Sequence, residues 1–550
     1  MKKVLFTWFV LLFSIAVLLS SCSPKGGDNS SESTDNSSSS SSEDISISSS
    51  PSGSSSNNTI VVLGQKFQYQ VTTTGTYSGT VTYSLSNHPE GMTISSTGLI
   101  EWTPIESDQI KTYSNITITI TTASGYVLTQ TFDLSVTASS ATTISAADSH
   151  SCAVLDNGSV KCWGRNNYGQ LGIDQKNNNI GDSSGEMAQL TGINLGTGRT
   201  AKAISTGFNR TCAVLDNGSV KCWGHNQWGQ LGIENTTTMG DALGEMASLP
   251  SINLGTGRTA TAISSRRHHN CALLDNSAVK CWGPNLDGVL GIDNTTYMGD
   301  DTGEMGDNLP SINLGTDRTA IAISAGGTHN CALLDNGAVK CWGNNFYGQL
   351  GIDNTTTMGD NTGEMAQLTG INLGTDRTAK SIATGWAHTC VVLDNGAAKC
   401  WGENTYGQLG IDNNTHMGDG SGEMALLPII NLGTNRTATA ISAGYSHTCA
   451  LLDDASVKCW GKNNNGQLGI DNTTDMGDDT GEMASLPSIN LGTDRTATAI
   501  AAGSYHSCAK LDNGAVKCWG FNLYGQLGID NTTYMGKSSG EMASLPSINL

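Results

Sequence analysis

From Thr59 to about residue 138, apolar and polar residues alternate in short runs that are separated by Gly, Pro and Asn. The runs include "FQYQVTT", "TVTYSL", "LIEW" and "SNITITIT". Alternation with a period of two places successive side chains on opposite faces of a strand, and Gly, Pro and Asn are typical of the turns between strands. About seven such strands in about 80 residues predict a small β-sandwich domain.

From about residue 141 to Leu550, one pattern of strand-like runs returns seven times. The first cysteine of each copy stands at residue 152, 212, 271, 331, 390, 449 or 508, which gives a period of 59 or 60 residues. In the last copy the runs are "INL", "TATAIAAG", "HSCAKLD" and "AVKCWG", and a loop rich in Gly, Asp and Asn follows. Periods of this length with four strands per copy are typical of propeller blades. We therefore predict an all-β chain whose larger part is a seven-bladed β-propeller.

The two ends of the repeat region predict how the ring closes. The first copy begins at "TTISAADSHSC" without the "INL" run that precedes every later copy, and the last copy ends on such a run at 548–550. We expect this C-terminal strand to complete the first blade, because a closed ring leaves no exposed strand edges. The alternative is that the sequence is an incomplete chain.

The N-terminus predicts export and a lipid anchor. A basic start, "MKK", precedes an apolar run up to Leu19, which is shorter than a membrane-spanning helix requires and is typical of a signal peptide. The residues "LSSC" that end at Cys22 resemble the lipobox of bacterial lipoproteins, which implies cleavage before Cys22 and lipid attachment to it. An ordinary secretion signal with a chance cysteine is the alternative. We therefore expect a lipid-anchored protein of the cell envelope, at the outer membrane or the cell surface.

Residues 23 to 58 are mostly Ser, with Asn, Asp, Glu and Gly. Such a segment has too few apolar residues to fold and predicts a flexible tether. We therefore divide the chain into a signal peptide at 1–21, a lipidated cysteine with a disordered linker at 22–58, an immunoglobulin-like sandwich at 59–139, and the propeller at 140–550.

The remaining fourteen cysteines predict seven disulfides, since they form pairs ten positions apart and export places them in an oxidising compartment. A hairpin turn at 156–158 sets Cys152 opposite Cys162, about 4.5 Å apart, a distance that a disulfide spans. The predicted disulfides are Cys152–Cys162, Cys212–Cys222, Cys271–Cys281, Cys331–Cys341, Cys390–Cys400, Cys449–Cys459 and Cys508–Cys518. The alternatives are zinc sites, redox pairs and reduced packing residues. Zinc and redox sites use shorter Cys spacing, and the export signal argues against reduced cysteines.

The net charge of −20 opposes binding to nucleic acids, because polyanions bind clustered Lys and Arg. The motifs GxSxG and HExxH, the P-loop and the Rossmann glycines do not occur in a convincing context, so we expect neither an enzyme nor a bound cofactor. We also predict no metal. As an alternative, Asp- and Asn-rich loops such as "IDNTTTMGD" at 352–360 offer oxygen ligands to calcium.

The pattern "GxxHxCALLDNGxVKCWGxNxxGQLG" resembles the regulator of chromosome condensation repeat, which implies a seven-bladed propeller. This chain differs from the founding eukaryotic members of the family in its paired cysteines and in its acidity. The loop wedge and basic tails of the chromatin-bound nucleotide exchanger are not recognisable, so guanine-nucleotide exchange is not expected. The stretch "HPEGMTISSTGLIEWTP" at 88–104 resembles immunoglobulin-like and dystroglycan-type cadherin-like domains of bacterial surface proteins, which implies a spacer without the calcium motif of true cadherins.

One histidine recurs in six copies, and Arg210 replaces it in the second copy. Six equivalent histidines cannot all be one catalytic base, so we expect a structural hydrogen bond at this position. The tryptophan after each second cysteine is expected to be an aromatic packing residue of the blades. The histidines are His150, His269, His329, His388, His447 and His506.

Positions that differ between the copies are free to recognise a ligand, and two sets of them are rich in aromatic residues and Arg. One set precedes the recurring histidine and comprises Asp148, Phe208, Arg266, Arg267, His268, Trp386, Tyr445 and Tyr505. The other set follows "CWG" and comprises Arg165, Tyr168, His225, Trp228, Phe346, Tyr347, Tyr406, Phe521 and Tyr524. Each set occupies one loop type, so we expect its members to cluster on one face, where such residues are typical of protein-binding hot spots. Ordinary turn residues are the alternative.

We therefore predict a bacterial surface lipoprotein that presents a disulfide-bonded propeller as a protein-interaction module, acting as an adhesin or as an inhibitor. The alternatives are a carbohydrate-binding or hydrolytic propeller enzyme and a passive structural protein of the envelope. The expected partner is an exported or surface protein, and membrane contact is expected only through the N-terminal lipid.

Overall fold

The computed structural model describes residues 44–51, 58–62, 66–104, 109–137, 139–315 and 318–550. In these residues it has thirty β-strands, six helices of four residues each and two short 3₁₀ turns, so the described chain is nearly all-β, as predicted. None of the described helices has the length and apolar character that crossing a membrane requires. The predicted signal peptide, the lipidation site Cys22 and most of the predicted linker lie outside the described residues.

The N-terminal domain is built from three sheets around one core. Its strands are β1 (Asp44–Ile47), β2 (Asn58–Val62), β3 (Phe67–Gln70), β4 (Thr73–Thr76), β5 (Thr82–Ser86), β6 (Thr93–Ile94), β7 (Leu99–Trp102), β8 (Thr112–Thr121) and β9 (Val127–Thr137). The sheets have the orders β2–β9–β8–β5, β3–β7–β6 and β1–β4. Ile100, Ile116, Ile118, Ile120 and Leu134 are fully buried, because alternate residues of the two larger sheets face the shared core.

The linker is shorter than the predicted range 22–58, because strand β1 lies inside that range. Strand β1 pairs antiparallel with β4, with Ser46 opposite Thr74. The segment "DISI" alternates polar and apolar residues, so Ile45 turns inward and is only 5% exposed, while Ile47 packs against the domain core. The Ser-rich composition around it concealed this short alternation.

The propeller consists of seven blades, each a sheet of three antiparallel strands. The blades are β10 (Ala141–Ala146), β11 (His150–Leu155), β12 (Val160–Gly164); β13 (Ala201–Thr206), β14 (Arg210–Leu215), β15 (Val220–Gly224); β16 (Ala260–Ser265), β17 (Asn270–Leu274), β18 (Val279–Trp282); β19 (Ala320–Ala325), β20 (His329–Leu334), β21 (Val339–Gly343); β22 (Ala379–Thr384), β23 (His388–Leu393), β24 (Ala398–Gly402); β25 (Ala438–Ala443), β26 (His447–Leu452), β27 (Val457–Gly461); and β28 (Ala497–Ala502), β29 (His506–Leu511), β30 (Val516–Gly520). The first strand of every blade lines a central channel, so the third strand is outermost.

The long loops after the third strands carry the short helices. These are α1 (Glu186–Gln189), α2 (Glu245–Ser248), α3 (Glu364–Gln367), α4 (Glu423–Leu426), α5 (Glu482–Ser485) and α6 (Glu541–Ser544). Each helix buries one methionine, such as Met187, which is 1% exposed. The loops are therefore attached to the core of the ring at a fixed point.

In each blade, the "INL" run predicted as a fourth strand makes only one backbone hydrogen bond to the third strand. The amide of Ile193 donates to the carbonyl of Val160 at 2.8 Å. Asn194 then begins a turn, in which its side-chain oxygen accepts from the Gly196 amide at 3.0 Å. The turn bends the chain away from the blade, so the hydrogen-bond ladder does not continue. The prediction of four strands per blade was therefore wrong.

The expectation that the C-terminal strand completes the first blade is also wrong. The amide of Ile548 donates to the carbonyl of Val516 at 2.8 Å, so this segment pairs with the seventh blade. The reason is that each "INL" run pairs with the third strand just before it in the chain, as Ile193 pairs with Val160 of the first blade. The last run therefore pairs with the seventh blade and not with the first.

The ring is closed by packing between the first and seventh blades. Strand β10 lies beside β28 and β29, and residues of both blades share one buried core. The Ala141 amide donates to the Gly514 carbonyl at 2.8 Å, and in the equivalent bond between the first two blades the Ala201 amide donates to the Gly158 carbonyl at 2.8 Å. The closing joint is therefore of the same kind as the joints between consecutive blades.

Candidate interaction face and central channel

All seven predicted disulfides are present, each between the second and third strands of one blade. In the first blade Cys152 lies opposite Cys162 and Val154 lies opposite Val160, which is the predicted register. The paired Cα atoms are 4.1 Å apart, and both cysteines are fully buried. The cysteine pairs are therefore crosslinks of the scaffold.

The recurring histidines bind neighbouring blades to each other. Nε2 of His150 lies 2.9 Å from Oγ1 of Thr211 in the second blade. The Thr211 hydroxyl donates its proton to the carbonyl of Gln170 at 2.9 Å, so its oxygen accepts from the Nε2–H of the histidine. Burial lowers the pKa of His150 to about 3, because the charged ring would lose its hydration. Equivalent bonds to a Thr or Ser of the next blade are made by His329, His388, His447 and His506.

Arg210 replaces this histidine in the second blade and holds a loop of the third blade in place. Its guanidinium donates to Oδ1 of Asn270 at 2.8 Å, to the carbonyl of Arg267 at 2.9 Å and to the carbonyl of His269. Burial lowers the pKa of Arg210 to about 9, which leaves it mostly charged at neutral pH. Arg210 therefore fixes the loop at 266–268. In the sequence, Arg210 is visible only as the one copy in which the recurring histidine is replaced.

The tryptophans that follow the second cysteines pack between blades, as predicted. Each is at most 1% exposed. The indole N–H of Trp163 donates to the carbonyl of Gln526 in the seventh blade at 3.0 Å, and that of Trp223 donates to the carbonyl of Gln170 in the first at 3.1 Å. These side chains belong to the scaffold; they are Trp163, Trp223, Trp282, Trp342, Trp401, Trp460 and Trp519.

The two predicted sets of recognition residues meet on one face of the ring. Tyr168 contacts His225 with ring centroids 4.5 Å apart, and His225 contacts Trp228 at 5.4 Å. Trp228 and Phe208 both contact His268, at 4.8 and 5.5 Å. Because Trp228 follows "CWG" and His268 precedes the recurring histidine, the two loop types lie side by side.

A second row of rings crosses the last three blades. Trp386 and Tyr445 are stacked with centroids 4.4 Å apart, and Tyr445 and Tyr505 are stacked at 5.7 Å. Tyr505 contacts Phe521 at 6.0 Å, and Phe521 contacts Tyr524 at 6.1 Å. This row again joins both loop types.

Two arginines extend the rows toward each other. The guanidinium of Arg267 lies 4.8 Å from the Trp386 ring centroid, and that of Arg165 lies 5.0 Å from the Tyr524 ring centroid. Trp386 reaches Arg267 across the fourth blade because Gly327 has no side chain; a Cβ there would lie 2.8 Å from the indole. We call these residues the aromatic belt: Arg165, Tyr168, Phe208, His225, Trp228, Arg267, His268, Trp386, Tyr445, Tyr505, Phe521 and Tyr524.

Five of the predicted recognition residues lie outside the aromatic belt: Asp148, Arg266, Phe346, Tyr347 and Tyr406. Tyr347 contacts His416 with ring centroids 5.0 Å apart, and the ammonium of Lys462 lies 4.1 Å from the Tyr406 ring centroid. Arg266 lines the central channel, although its neighbour Arg267 belongs to the belt.

The central channel has a volume of about 250 Å³ and is lined by the first strands of all seven blades. Serine hydroxyls in its wall accept from amides of the next blade, as Ser442 does from Ala502 at 2.9 Å. Nη1 of Arg266 donates to the carbonyl of Ala502 at 3.3 Å. Arg266 therefore spans the channel from the third blade to the seventh, where the first strands end.

The acidic residues of the long loops join blades to one another. Asp530 of the seventh blade accepts from the amides of Gly185 and Met187 in the first, at 3.0 and 2.9 Å. Asp353, which stands in the loop considered for calcium, accepts from the Met424 amide at 2.8 Å. Within the described ranges, no three His, Cys, Asp or Glu side chains are grouped to hold a metal ion. The sequence reasoning missed this role, although an Asp or Glu follows "LGI" in every copy.

Comparison with known families agrees with this architecture. The family described as regulator of chromosome condensation (RCC1) repeat matches residues 141–170, 201–230, 320–349, 379–408, 438–467 and 497–526, and a second description of this repeat matches 395–451 and 454–509. The family described as Putative Ig domain matches residues 30–137, a range that includes strand β1.

Two curated proteins illustrate the similarity at the sequence level. The Ultraviolet-B receptor UVR8 of Arabidopsis thaliana is 29% identical over 390 residues, which cover 70% of this chain and 78% of UVR8. The Probable E3 ubiquitin-protein ligase HERC4 of Rattus norvegicus is 27% identical over 373 residues, which cover 68% of this chain but only 31% of HERC4.

Two solved structures share the fold. Human WBSCR16 has a TM-score of 0.54 at 18% identity, covering 70% of this chain and 93% of that chain. Prp20p from Saccharomyces cerevisiae has a TM-score of 0.54 at 19% identity, covering 75% and 88%. Repeats, blades and neighbours agree: this chain is an RCC1-repeat β-propeller protein with an immunoglobulin-like domain N-terminal to the propeller.

Proposed function

We propose that this protein is a lipid-anchored protein of the bacterial cell envelope whose propeller binds another exported protein through the aromatic belt. The aromatic belt is the main support for this proposal. It brings residues of six blades together on one face, whereas the residues that the copies share are occupied in holding the ring together. The partner is an exported or surface protein, and its binding serves adhesion or inhibition.

The aromatic belt has the physical properties of a protein-binding surface. Its rings are half-buried except that of Tyr168, which is exposed. Contacts with neighbouring rings already restrict their rotamers, so a partner that covers them causes little further loss of side-chain entropy. Tyr, Trp and Arg are the residue types enriched at binding hot spots. Leu286, which lines a small pocket with Arg267 and His268, is 61% exposed and adds apolar area to this face.

The geometry favours binding over hydrolysis. A glycoside hydrolase needs two carboxyl groups that flank one bond, with one of them held protonated. Burial raises the pKa of Asp148 and of Glu403, but these residues belong to the first and fifth blades. Each carboxylate accepts from a nearby hydroxyl, Asp148 from that of Ser149 and Glu403 from that of Thr405. We therefore do not propose a hydrolytic site on this face.

The test of the belt begins with capture of a partner by the exported chain and continues with the purified partner in a titration. Replacing Trp228, Trp386 and Tyr445 together by Ala should weaken binding at least 100-fold, since each hot-spot truncation costs more than about 1 kcal/mol. The matched control replaces Leu243 and Leu426 by Ala, because these side chains are 94% and 80% exposed but lie outside the belt. A partner that binds the triple variant as tightly as the parent chain contradicts the proposal.

The anchor is tested separately. Cys22→Ser removes the sulfur to which the lipid would be attached, so the chain should move from the membrane fraction to the aqueous fraction after cell lysis. An unchanged membrane fraction would contradict lipid anchoring and would leave the test of the belt unaffected.

A further inference from the structure

The third blade places a charged side chain where the other blades have none. Three residues before the recurring histidine, six copies have Gly or Ala, and the third copy has Arg266. This position follows the end of the first strand, at one end of the central channel. Among the residues that line the channel in the described part of the chain, Arg266 alone is charged.

The guanidinium of Arg266 has few partners for its charge and its N–H donors among the described residues. Nη1 donates to the Ala502 carbonyl at 3.3 Å, but Nη2 is buried and has no hydrogen-bond partner among the described residues. Asp148 attracts the guanidinium, yet its carboxylate accepts from the Ser149 hydroxyl at 2.8 Å and forms no ion pair with Arg266 in the described structure. A partly buried charge without an ion pair and a buried donor without a partner are both unfavourable, so a compensating anion would be stabilising.

The channel wall offers further donors beside this charge. The hydroxyl oxygens of Ser205, Ser264 and Ser442 accept from backbone amides of the next blade, at 2.8, 2.8 and 2.9 Å. A serine hydroxyl that accepts in this way still has its own proton to donate. The hydroxyl of Ser265, next to Arg266, is buried without any partner among the described residues.

We propose that the central channel binds a small oxyanion, either a carboxylate or an inorganic ion such as sulfate, against the guanidinium of Arg266 and the serine hydroxyls. The planar guanidinium matches the paired oxygens of carboxylates and of tetrahedral oxyanions. The volume of about 250 Å³ is many times the ~10–15 Å³ that one water needs, so such an ion fits without opening the ring. The site does not depend on the aromatic belt or on the lipid anchor.

The experiment titrates the exported chain with sodium sulfate and, in a separate arm, with sodium acetate, using calorimetry. Sodium chloride at equal ionic strength is the reference. We expect saturable binding of one ion per chain in at least one arm, and the stronger arm tells an inorganic ligand from a carboxylate. Arg266→Gly, the residue that most other copies have, should weaken binding at least tenfold. Arg258→Gln is the matched control and should leave binding unchanged, because Arg258 pairs with Asp275 at the surface and does not line the channel.

A second variant protects the test from a folding defect. Arg266→Gln keeps the length of the side chain and removes its charge, and it should also weaken binding at least tenfold while melting within a few degrees of the parent chain. The proposal is overturned if neither anion binds more strongly than chloride, or if both Arg266 variants bind as the parent does.

Discussion

At the scale of single residues, the recurring histidine serves as a neutral donor because its surroundings exclude the charged form. Nε2 of His388 lies 3.0 Å from Oγ1 of Thr448, whose hydroxyl donates to the Gln408 carbonyl at 2.9 Å. Burial lowers the pKa of His388 to about 3. In an unfolded chain the same side chain has a pKa of about 6.5. The difference links the stability of the ring to pH.

Between about pH 6.5 and 3, the unfolded chain takes up protons at these histidines and the folded chain does not, so stability falls as the pH falls. Each histidine contributes up to about 1.4 kcal/mol per pH unit. We predict that His388→Gln reduces the slope of unfolding free energy against pH by up to this amount, measured by guanidinium denaturation between pH 4 and 6.5.

Thr448→Val is the matched control for this prediction. It removes the hydrogen bond between the two side chains but keeps the buried histidine, so it should lower stability while retaining the slope of the parent chain. A slope for His388→Gln equal to that of the parent would show that His388 is not held neutral.

At the scale of the element, the unit that the sequence repeats is a crosslinked hairpin. In the fifth blade Cys390 and Cys400 face each other across β23 and β24, and both are fully buried. The loop that they close is short, so the disulfide restricts the unfolded chain only locally. The outer edge of this blade is held by one backbone bond to Ile430 and by a bridge between Gly402 and Met417, and the crosslink supports that edge.

Cys390→Ala combined with Cys400→Val breaks one crosslink while keeping apolar volume in the hairpin. We predict a loss of about 2–3 kcal/mol in the free energy of unfolding, because the reduced loop regains its conformational freedom in the unfolded state. Guanidinium denaturation without reductant measures this loss. A change below about 0.5 kcal/mol would mean that the crosslink does not support the blade.

At the scale of the whole molecule, the ring closes by face-to-face packing of the blades. The Ser151 hydroxyl in the first blade lies 2.8 Å from Nε2 of His506 in the seventh and donates to the Gln526 carbonyl at 3.0 Å. The Ser507 hydroxyl makes the same two contacts with the sixth blade, to His447 at 2.9 Å and to the carbonyl of residue 467 at 2.9 Å. The closing joint and an internal joint are thus chemically matched.

This match yields a test of closure. Ser151→Ala and Ser507→Ala each leave a buried histidine N–H without its partner, whereas the carbonyl keeps its bond from the indole N–H of Trp163 or Trp519. Each substitution should therefore lower the free energy of unfolding by about 1–3 kcal/mol. The two losses, measured by guanidinium denaturation, should be similar. If Ser507→Ala destabilises the protein and Ser151→Ala does not, the first and seventh blades do not meet in solution.

The period, the number of blades, the hairpin register and the disulfide pairing can all be predicted from the sequence, because these depend on contacts between residues close together in the chain. The sequence also identified every residue of the aromatic belt, since the belt occupies positions that vary between otherwise equal copies. The strand at 44–47 was missed because two alternating isoleucines are a weak signal within a Ser-rich segment.

Three features depend on the folded ring and were not predicted. They are the blade that each "INL" run joins, the capping of helices in the neighbouring blade by the loop carboxylates, and the entry of Arg266 into the channel while Arg267 lies on Trp386. Adjacent arginines in one loop are equivalent in a sequence. Their directions depend on the hydrogen bond from Arg210 to the Arg267 carbonyl and on the space that Gly327 leaves for Trp386. Both arise where different blades meet, so the local sequence does not encode them.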